Sequence, residues 1–410
     1  MSTTKENGNK VVFINRFFYP DHSATSQLLS DVAFYLAENG HNVSVVCSRQ
    51  GYDGNDKALK KYEEIKGVKV YRVTTTNFGR LWLPGRVLDY VSYFCGMVFY
   101  LFKILGKGDT LVVKTDPPLT SVLTILIAKI KKVKQINWVQ DLFPEVLFSL
   151  DRQVIPKFFQ RLIVALRNWS FVQSDLTVAI GNVMQQKLEH QGVPKALLTV
   201  IPNWSDGENV KPVSSEQNHL IDEWGLRGKF IIGYSGNMGR VHDFTAIVEA
   251  AEILRIHLDV VFVFIGGGAQ KAYLENEKDK RKLSNVHFFP YQAYEDLSNS
   301  LSVPDIHLIS LKPEIEGYCV PSKYYGIIAS GSASIFIGDA NGEIAQMMQN
   351  ENTGIQVNAC DGEQLAIQIL FCKDNPHECE KFSQNALKSY KHHYNREVSL
   401  KLWERTLLTK

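Results

Sequence analysis

Residues 10–48 read KVVFINRFFYPDHSATSQLLSDVAFYLAENGHNVSVVCS, and the periodicities in this stretch establish how the chain begins. Val11 to Ile14 form a short apolar, β-branched run. Leu28, Leu29, Val32, Ala33 and Leu36 then recur at helical spacing, Gly40 closes the helix, and NVSVVCS is a second strand. The result is a β-α-β unit. Further strands fit residues 68–74, 110–115, 135–140, 176–180 and 197–203, with helical patterns between most of them. Such alternation predicts a parallel sheet with helices on both faces.

The pattern restarts after residue 206. KFIIGYSG (229–236) is a strand entering a glycine turn, DFTAIVEAAEILR is a helix, and VVFVFIGGG (260–268) is a strand ending in three glycines. NVHFFPY, DIHLISL and SASIFIGD supply further strands, with helices starting near Glu295, Ser322 and Gly342. SDGENVKPVSSEQNHL, between the halves, reads as a polar linker. The expected organisation is a flexible tail (1–10), a first domain (11–206), a second (207–385) and a C-terminal helix (386–410).

Composition agrees with two cores, since 410 residues exceed one ordinary domain and 45% are hydrophobic. Lys plus Arg number 45 against 43 Asp plus Glu, so the net charge of +2 supplies no global field for nucleic acid. Any anion must be met by a local site. The six cysteines show no paired metal spacing and read as reduced, mostly buried thiols. The polar start, MSTTKENGNK, lacks the apolar core of a signal peptide, and a cytoplasmic protein is expected.

Tyr90 to Phe102, YVSYFCGMVFYLF, is uncharged and strongly apolar but too short to span a bilayer. Two readings fit: a helix buried on a sheet, or one lying on a membrane beside Trp82, Arg86, Lys103 and Lys107. Val154 to Val172 mixes Lys157, Arg161 and Arg167 with Phe158, Phe159, Leu162 and Trp169, which suits a headgroup layer or an ordinary helix with a basic face. Peripheral contact with the inner face of the cytoplasmic membrane is therefore expected through 81–107 and 154–172.

In open wound sheets, ligands sit beyond the carboxyl ends of strands, so chemistry is sought in the loops there. In YSGNMGR (234–240), Gly236 and Gly239 let backbone approach a ligand, and Arg240 offers a guanidinium to a phosphate. It is neither a phosphate-binding Walker loop nor a dinucleotide fingerprint. FIGGGAQ (264–270) is a second glycine strand end, and Tyr291 could pack on a flat base. In EGYCVPSKYYGIIASG (316–331), Pro321 turns the chain, Ser322 is a candidate helix cap and Lys323 is a cation at the helix's positive end. A cation there is locally unfavourable and suggests an anion nearby. Glu343 is either a ligand for sugar hydroxyls or a first-turn carboxylate. In the first half, Asp21, His22 and Ser23 stand at the mouth of the first helix, and Asp141 and Glu145 follow a strand, placed for acid-base work or hydroxyl binding.

Taken together, FFYPDHSATSQLLSDVAFYLAENGHNVSVVCS, TDPPL, WVQDLFPE, IPNWSD, YSGNMGR, FIGGG, VPSKYYGIIASG and GDANGEIA run in order over nearly the whole chain and resemble family 4 glycosyltransferases. The likeness is to the bacterial branch that builds exopolysaccharide, O-antigen and colanic-acid-type chains. The resemblance implies a GT-B fold, two Rossmann-like doubly wound domains facing an interdomain cleft, with the C-terminal helix (386–410) crossing back to the first domain. It implies transfer of a hexosyl or N-acetylhexosaminyl group from a nucleotide diphosphate sugar, with a UDP-sugar favoured, to a lipid-linked or oligosaccharide acceptor, with retention.

By the same resemblance, Gly236, Asn237, Gly239 and Arg240 look like the diphosphate site, joined by Lys323, while Gly266 and Tyr291 face the nucleoside. Tyr318, Cys319, Val320 and Pro321 would face the transferred sugar. The loop holding Asp21 to Ala24 and the one holding Asp141 look like the acceptor side and reaction centre, with Asp141 the first candidate to assist the acceptor and His22 the second. No metal or other cofactor is required by these residues. Two departures stand out: the family's usual pair of glutamates falls on Tyr318 and Gly326, and His242 and Asp243 follow Arg240 where many members carry a lysine. A sugar 2-epimerase of the same architecture and a non-catalytic GT-B partner protein are the alternatives.

Overall fold

A computed structural model describes residues 9–51, 59–78, 83–150, 156–207 and 209–408. The first eight residues of the expected tail, and Trp82 with Val154 in the expected membrane segments, lie outside them. The chain divides into two units, Met1–Pro202 with Leu400–Lys410, and Asn203–Ser399.

The first unit is built on an eight-stranded sheet: β1 (Val11–Ile14), β2 (Val43–Ser48), β3 (Tyr62–Ile65), β4 (Val68–Val73), β5 (Thr110–Lys114), β6 (Lys134–Trp138), β7 (Leu176–Ala179) and β8 (Leu198–Val200), in the order β3-β4-β2-β1-β5-β6-β7-β8. Covered on both faces, the central strands are buried at every position, which is why they read as unbroken apolar runs. β3 departs from the expected parallel pattern. It pairs antiparallel with β4 at the sheet edge, and its YEEI sequence alternates between exposed and half-buried. The last turns of the Arg396–Leu408 helix belong to this unit: Trp403 is fully buried with its ring centroid 4.3 Å from that of Trp138, and Glu404 accepts from the Tyr35 hydroxyl at 3.0 Å.

The second unit has six parallel strands, β9 (Phe230–Ser235), β10 (Val260–Ile265), β11 (Val286–Phe289), β12 (Ile306–Ser310), β13 (Ala333–Ile337) and β14 (Gly354–Val357), ordered β11-β10-β9-β12-β13-β14. The order reverses between β9 and β12, so the loops after β9 and β10 open beside a switch point of the sheet.

The expected polar linker is instead fastened to this unit. Ser205 bridges to Asn395, and the amides of Lys211 and Val213 donate to the hydroxyls of Ser298 and Ser302. Asn218 is fully buried, accepts from the Leu220 amide and donates to the carbonyl of Asn299. Its polar composition therefore reflects side-chain and backbone bonding to a neighbouring helix, not solvation of a free tether.

Candidate functional site

The two glycine loops of the second unit are one construction. The Gly236 amide donates to the carbonyl of Ile265 at 2.9 Å, and the Met238 amide to that of Gly267 at 2.7 Å. Gly266 has φ +130°, and a β-carbon there would lie 2.4 Å from the carbonyl oxygen of Gly236. Only glycine permits both that conformation and that approach. Gln270, which carried no signal in the sequence, locks the pair by donating from Nε2 to the carbonyls of Gly239 and His242 at 2.6 and 2.9 Å. The Tyr291 ring lies along Gly266 and Gly267 and is 61% exposed. Asn237 and Arg240 are exposed on the first loop.

Lys323 begins the Lys323–Ala329 helix, but its side chain folds back onto the sheet. Its Nζ is buried, sits 3.4 Å from the centroid of the Tyr234 ring, and has no hydrogen-bond partner among the described residues. The residue as a whole is half-buried. Its Cε is 4.0 Å from where a β-carbon on Gly236 would stand, which brings the amine to the glycine loops. Burial pulls the Lys323 amine well below its usual range. Beside it His242 is buried, bonded through Nδ1 to the carbonyl of Ser310, and pushed down to about 3 by burial and by the Lys323 charge. A buried amine with three unused donors is costly unless something anionic completes it.

Ser322 is not a cap. Its φ of −61° and ψ of −21° are already helical and its hydroxyl makes no capping bond. A cap needs an extended backbone to aim its oxygen at the following amides; here the Tyr324 and Tyr325 amides bond the carbonyls of Pro321 and Ser322 instead.

Tyr318 is half-buried, while Cys319, Val320 and Pro321 are buried just before that helix. Glu316, out of register with the family's glutamates, holds the neighbouring structure together: its carboxylate accepts from the amides of Gly317 at 3.2 Å and Glu343 at 2.9 Å. It thereby binds the N-terminus of the Glu343–Glu351 helix, a favourable place for an acid. Burial raises its carboxyl despite those amides. Glu343 itself is buried at the first position of its helix.

In the first unit, Asp21 accepts from both the amide and the hydroxyl of Ser23, at 2.9 and 2.5 Å, and so shapes the turn before the Ala24–Glu38 helix. His22 and Ala24 are exposed there. Asp141 is exposed to solvent, with protein packed around its carboxyl. That crowding, and then the charge of Asp116, lifts its carboxyl to about 6, against the pull of Lys114. Lys114, missed in the sequence, ends β5 fully buried; its Nζ donates to the Thr25 carbonyl at 2.9 Å and stands 3.7 Å from the centroid of the Trp138 ring. Burial holds its amine well below the usual range. A lysine closing an apolar strand, two residues before an aspartate, was the available signal.

Glu145 is corrected. It is buried and paired with Arg167 through two contacts, Oε2 to Nη1 at 2.5 Å and Oε1 to Nη2 at 2.7 Å, with Gln191 donating at 2.9 Å. Its oxygens serve this internal pair, so it is not a hydroxyl-binding group. Among the described residues, no three His, Cys, Asp or Glu side chains are grouped to hold a metal ion.

These paired wound units have the GT-B glycosyltransferase fold. The structure aligns with HepE of Anabaena, solved in complex with UDP and glucose, at a TM-score of 0.74 and 15% identity, over 98% of this chain and 100% of that one. It aligns with WaaG, a glycosyltransferase involved in lipopolysaccharide biosynthesis, at 0.70 and 14%, over 98% and 100%. Residues 26–204 match the glycosyl transferase 4-like domain and residues 217–389 the glycosyl transferases group 1 family. The chain belongs to the family 4 glycosyltransferases. It is 25% identical over 356 residues to WcaI of Escherichia coli (strain K12), named as a colanic acid biosynthesis glycosyl transferase, covering 83% of this chain and 86% of that one.

Proposed function

We propose that this enzyme transfers a hexosyl or N-acetylhexosaminyl group from a nucleotide diphosphate sugar, with a UDP-sugar favoured, to a hydroxyl of a lipid-linked or oligosaccharide acceptor in cell-surface polysaccharide synthesis, with retention. The observation that carries the reading is the buried, partnerless Nζ of Lys323 beside the Gly236 and Gly266 loops. The WcaI likeness supports the polysaccharide role, and the complexes of HepE with UDP and with UDP-glucose support the donor class.

As the bond between the anomeric carbon and the diphosphate oxygen breaks, its electron pair stays on the departing diphosphate. Lys323, Arg240 and the amides of Asn237 and Gly239, on the loop that Gly236 turns, meet that growing charge, so their contacts strengthen as the barrier is crossed. Gly266 and the exposed ring of Tyr291 take the nucleoside, and Tyr318 to Pro321, with Glu343, border the sugar. In the first unit, Asp141 accepts the acceptor hydroxyl's proton while that oxygen bonds the anomeric carbon, with His22 second in line and the Asp21–Ala24 turn on the acceptor side. The enzyme works at the inner face of the cytoplasmic membrane, met through 81–107 and 154–172.

The test is a thermal-shift panel of UDP-, GDP- and ADP-sugars, because a ligand that binds only the native state stabilises it. A shift with one base, abolished in Lys323→Met, is expected. Equal shifts in wild type and Lys323→Met, or none with any donor, would sink the assignment.

A further inference from the structure

Three helices share one side of the first unit. The Thr120–Lys131 helix is tied to the Lys157–Val172 helix by the hydroxyls of Ser121 and Ser170, 2.8 Å apart. Lys131 ties it to the Leu83–Ile104 helix, donating from Nζ to the carbonyl of Phe102 at 2.6 Å. All three leave large apolar side chains outside: Phe99 on the first in sequence, Leu126 and Ile130 on the second, Phe158, Leu162 and Trp169 on the third. Exposure reaches 64% at Phe99, 66% at Ile130 and 72% at Phe158. Apolar side chains gathered on adjoining helices, unlike ones scattered singly, mark a surface that something covers.

Charge says what covers it. Across the three helices the sole acid is Asp89, which is buried and accepts from the Thr76 hydroxyl at 2.7 Å. Lys103, Lys129, Lys157 and Arg161 are exposed on the same helices, and Lys132 follows directly. A second copy of the chain would set cations against cations. An anionic headgroup layer matches the cations, and the acyl boundary beneath it takes the aromatic and aliphatic side chains.

The geometry also fixes the mode of contact. At 1.5 Å per residue the Leu83–Ile104 helix is about 33 Å long, close to the roughly 30 Å of a bilayer's hydrocarbon. Yet its Tyr93, Met97 and Leu101 are fully buried in the core of the sheet, and the Tyr93 hydroxyl donates to the carbonyl of Asn15 at 3.1 Å. Crossing a membrane would tear that face out of the core, whereas lying on one leaves it in place.

We infer that these three helices form a single docking face that lies flat on an anionic lipid surface, with the Thr120–Lys131 helix at its centre. This extends the membrane part of the proposed function to a helix outside both segments named for it.

The test uses the full chain without sugar nucleotide, co-sedimented with vesicles of phosphatidylcholine alone or of phosphatidylcholine with phosphatidylglycerol. Wild type is expected to pellet with the phosphatidylglycerol vesicles. Leu126→Glu/Ile130→Glu should lose about tenfold or more of that partitioning. Ile256→Glu/Leu258→Glu, which puts the same charges on exposed apolar positions of the second unit, should keep it. Three results would overturn the inference: Leu126→Glu/Ile130→Glu binding like wild type, equal binding to both vesicle types, or no vesicle binding by a wild-type dimer that Leu126→Glu/Ile130→Glu splits. A melting temperature and donor-induced shift retained in Leu126→Glu/Ile130→Glu show that the fold survives. Loss of the donor shift from wild type bears on sugar transfer alone.

Discussion

The Nζ of Lys323 rests 3.4 Å from the centroid of the Tyr234 ring. Tyr234 is fully buried, and burial raises its hydroxyl well above the ordinary range, so what Lys323 meets is the face of a neutral ring. The ring's quadrupole offsets part of the amine's desolvation but satisfies none of its donors. The site holds its amine ready at a cost in stability.

Lys323→Met separates the two effects. A flexible apolar side chain of similar length fits against Tyr234, so the melting temperature should hold or rise. Donor affinity should fall by about 10- to 100-fold, the loss of a charge-assisted contact worth roughly 1.5–3 kcal/mol. Calorimetric titration with the preferred sugar nucleotide reads this directly; unchanged affinity would remove Lys323 from the site.

Donor binding should take up a proton. Burial lowers the Lys323 amine in the empty site, and a diphosphate favours its charged form, so above the lowered value binding must be accompanied by protonation. Affinity therefore falls as pH rises through that window. His242, pushed down to about 3 by burial and by the charges of Lys323 and Lys312, stays neutral throughout. Titrations in two buffers of different ionisation enthalpy measure the uptake, and it should vanish in Lys323→Met. In the empty protein the unfolded chain binds more protons than the folded one between the two values, so this group's contribution to stability improves as pH rises.

Gly266→Ala and Gly267→Ala should differ sharply. The first puts a β-carbon 2.4 Å from the Gly236 carbonyl at φ +130°; the second meets only the Tyr291 ring at 3.5 Å. A loss of about 2 kcal/mol or more is expected for Gly266→Ala and little for Gly267→Ala. Chemical denaturation of the two variants decides it.

Asp141 should set the acidic limb of the rate. With its carboxyl raised to about 6, turnover rises as pH increases through that value, because only the carboxylate can take the acceptor's proton. Asp141→Asn should lower turnover by about 100-fold or more and flatten the limb. The stability effect has the opposite sense: a raised acid binds its proton more tightly in the folded state, so it contributes most below the window and less above it. A limb near 6 that persists in Asp141→Asn would assign it elsewhere.

Glu145→Gln should destabilise the first unit by about 3–5 kcal/mol, since it leaves the buried Arg167 guanidinium without its counter-charge. His22→Ala, at an exposed position, should leave the unfolding free energy within about 0.5 kcal/mol of wild type.

Much of the fold was legible because parallel strands between two helical layers must be apolar along their whole length, as VVFVFI of β10 is. β3 escaped notice because an edge strand exposes one side, and YEEI has no such run. The glycines of both loops were legible as turns, but not that Gly266 packs on Gly236, which depends on β9 and β10 lying side by side. Gln270 was silent because an amide side chain does not announce its partners in sequence, and Lys114 showed only as a lysine closing an apolar strand, with nothing to say that it would be buried.

The sequence by itself determined the two wound halves and which loops stand at their strand ends, since both follow from local periodicity and turn chemistry. Tertiary structure alone decided what the charged groups do. Glu145 was a candidate for acid-base work on paper and Glu316 carried no role there; one closes on Arg167 and the other on the Glu343 amide, partners brought near only by folding. Lys323 went the other way, losing solvent without gaining an acceptor. The physical reason is that an ionisable group's role is set by the dielectric and the charges around it, and those come from residues far away in the chain.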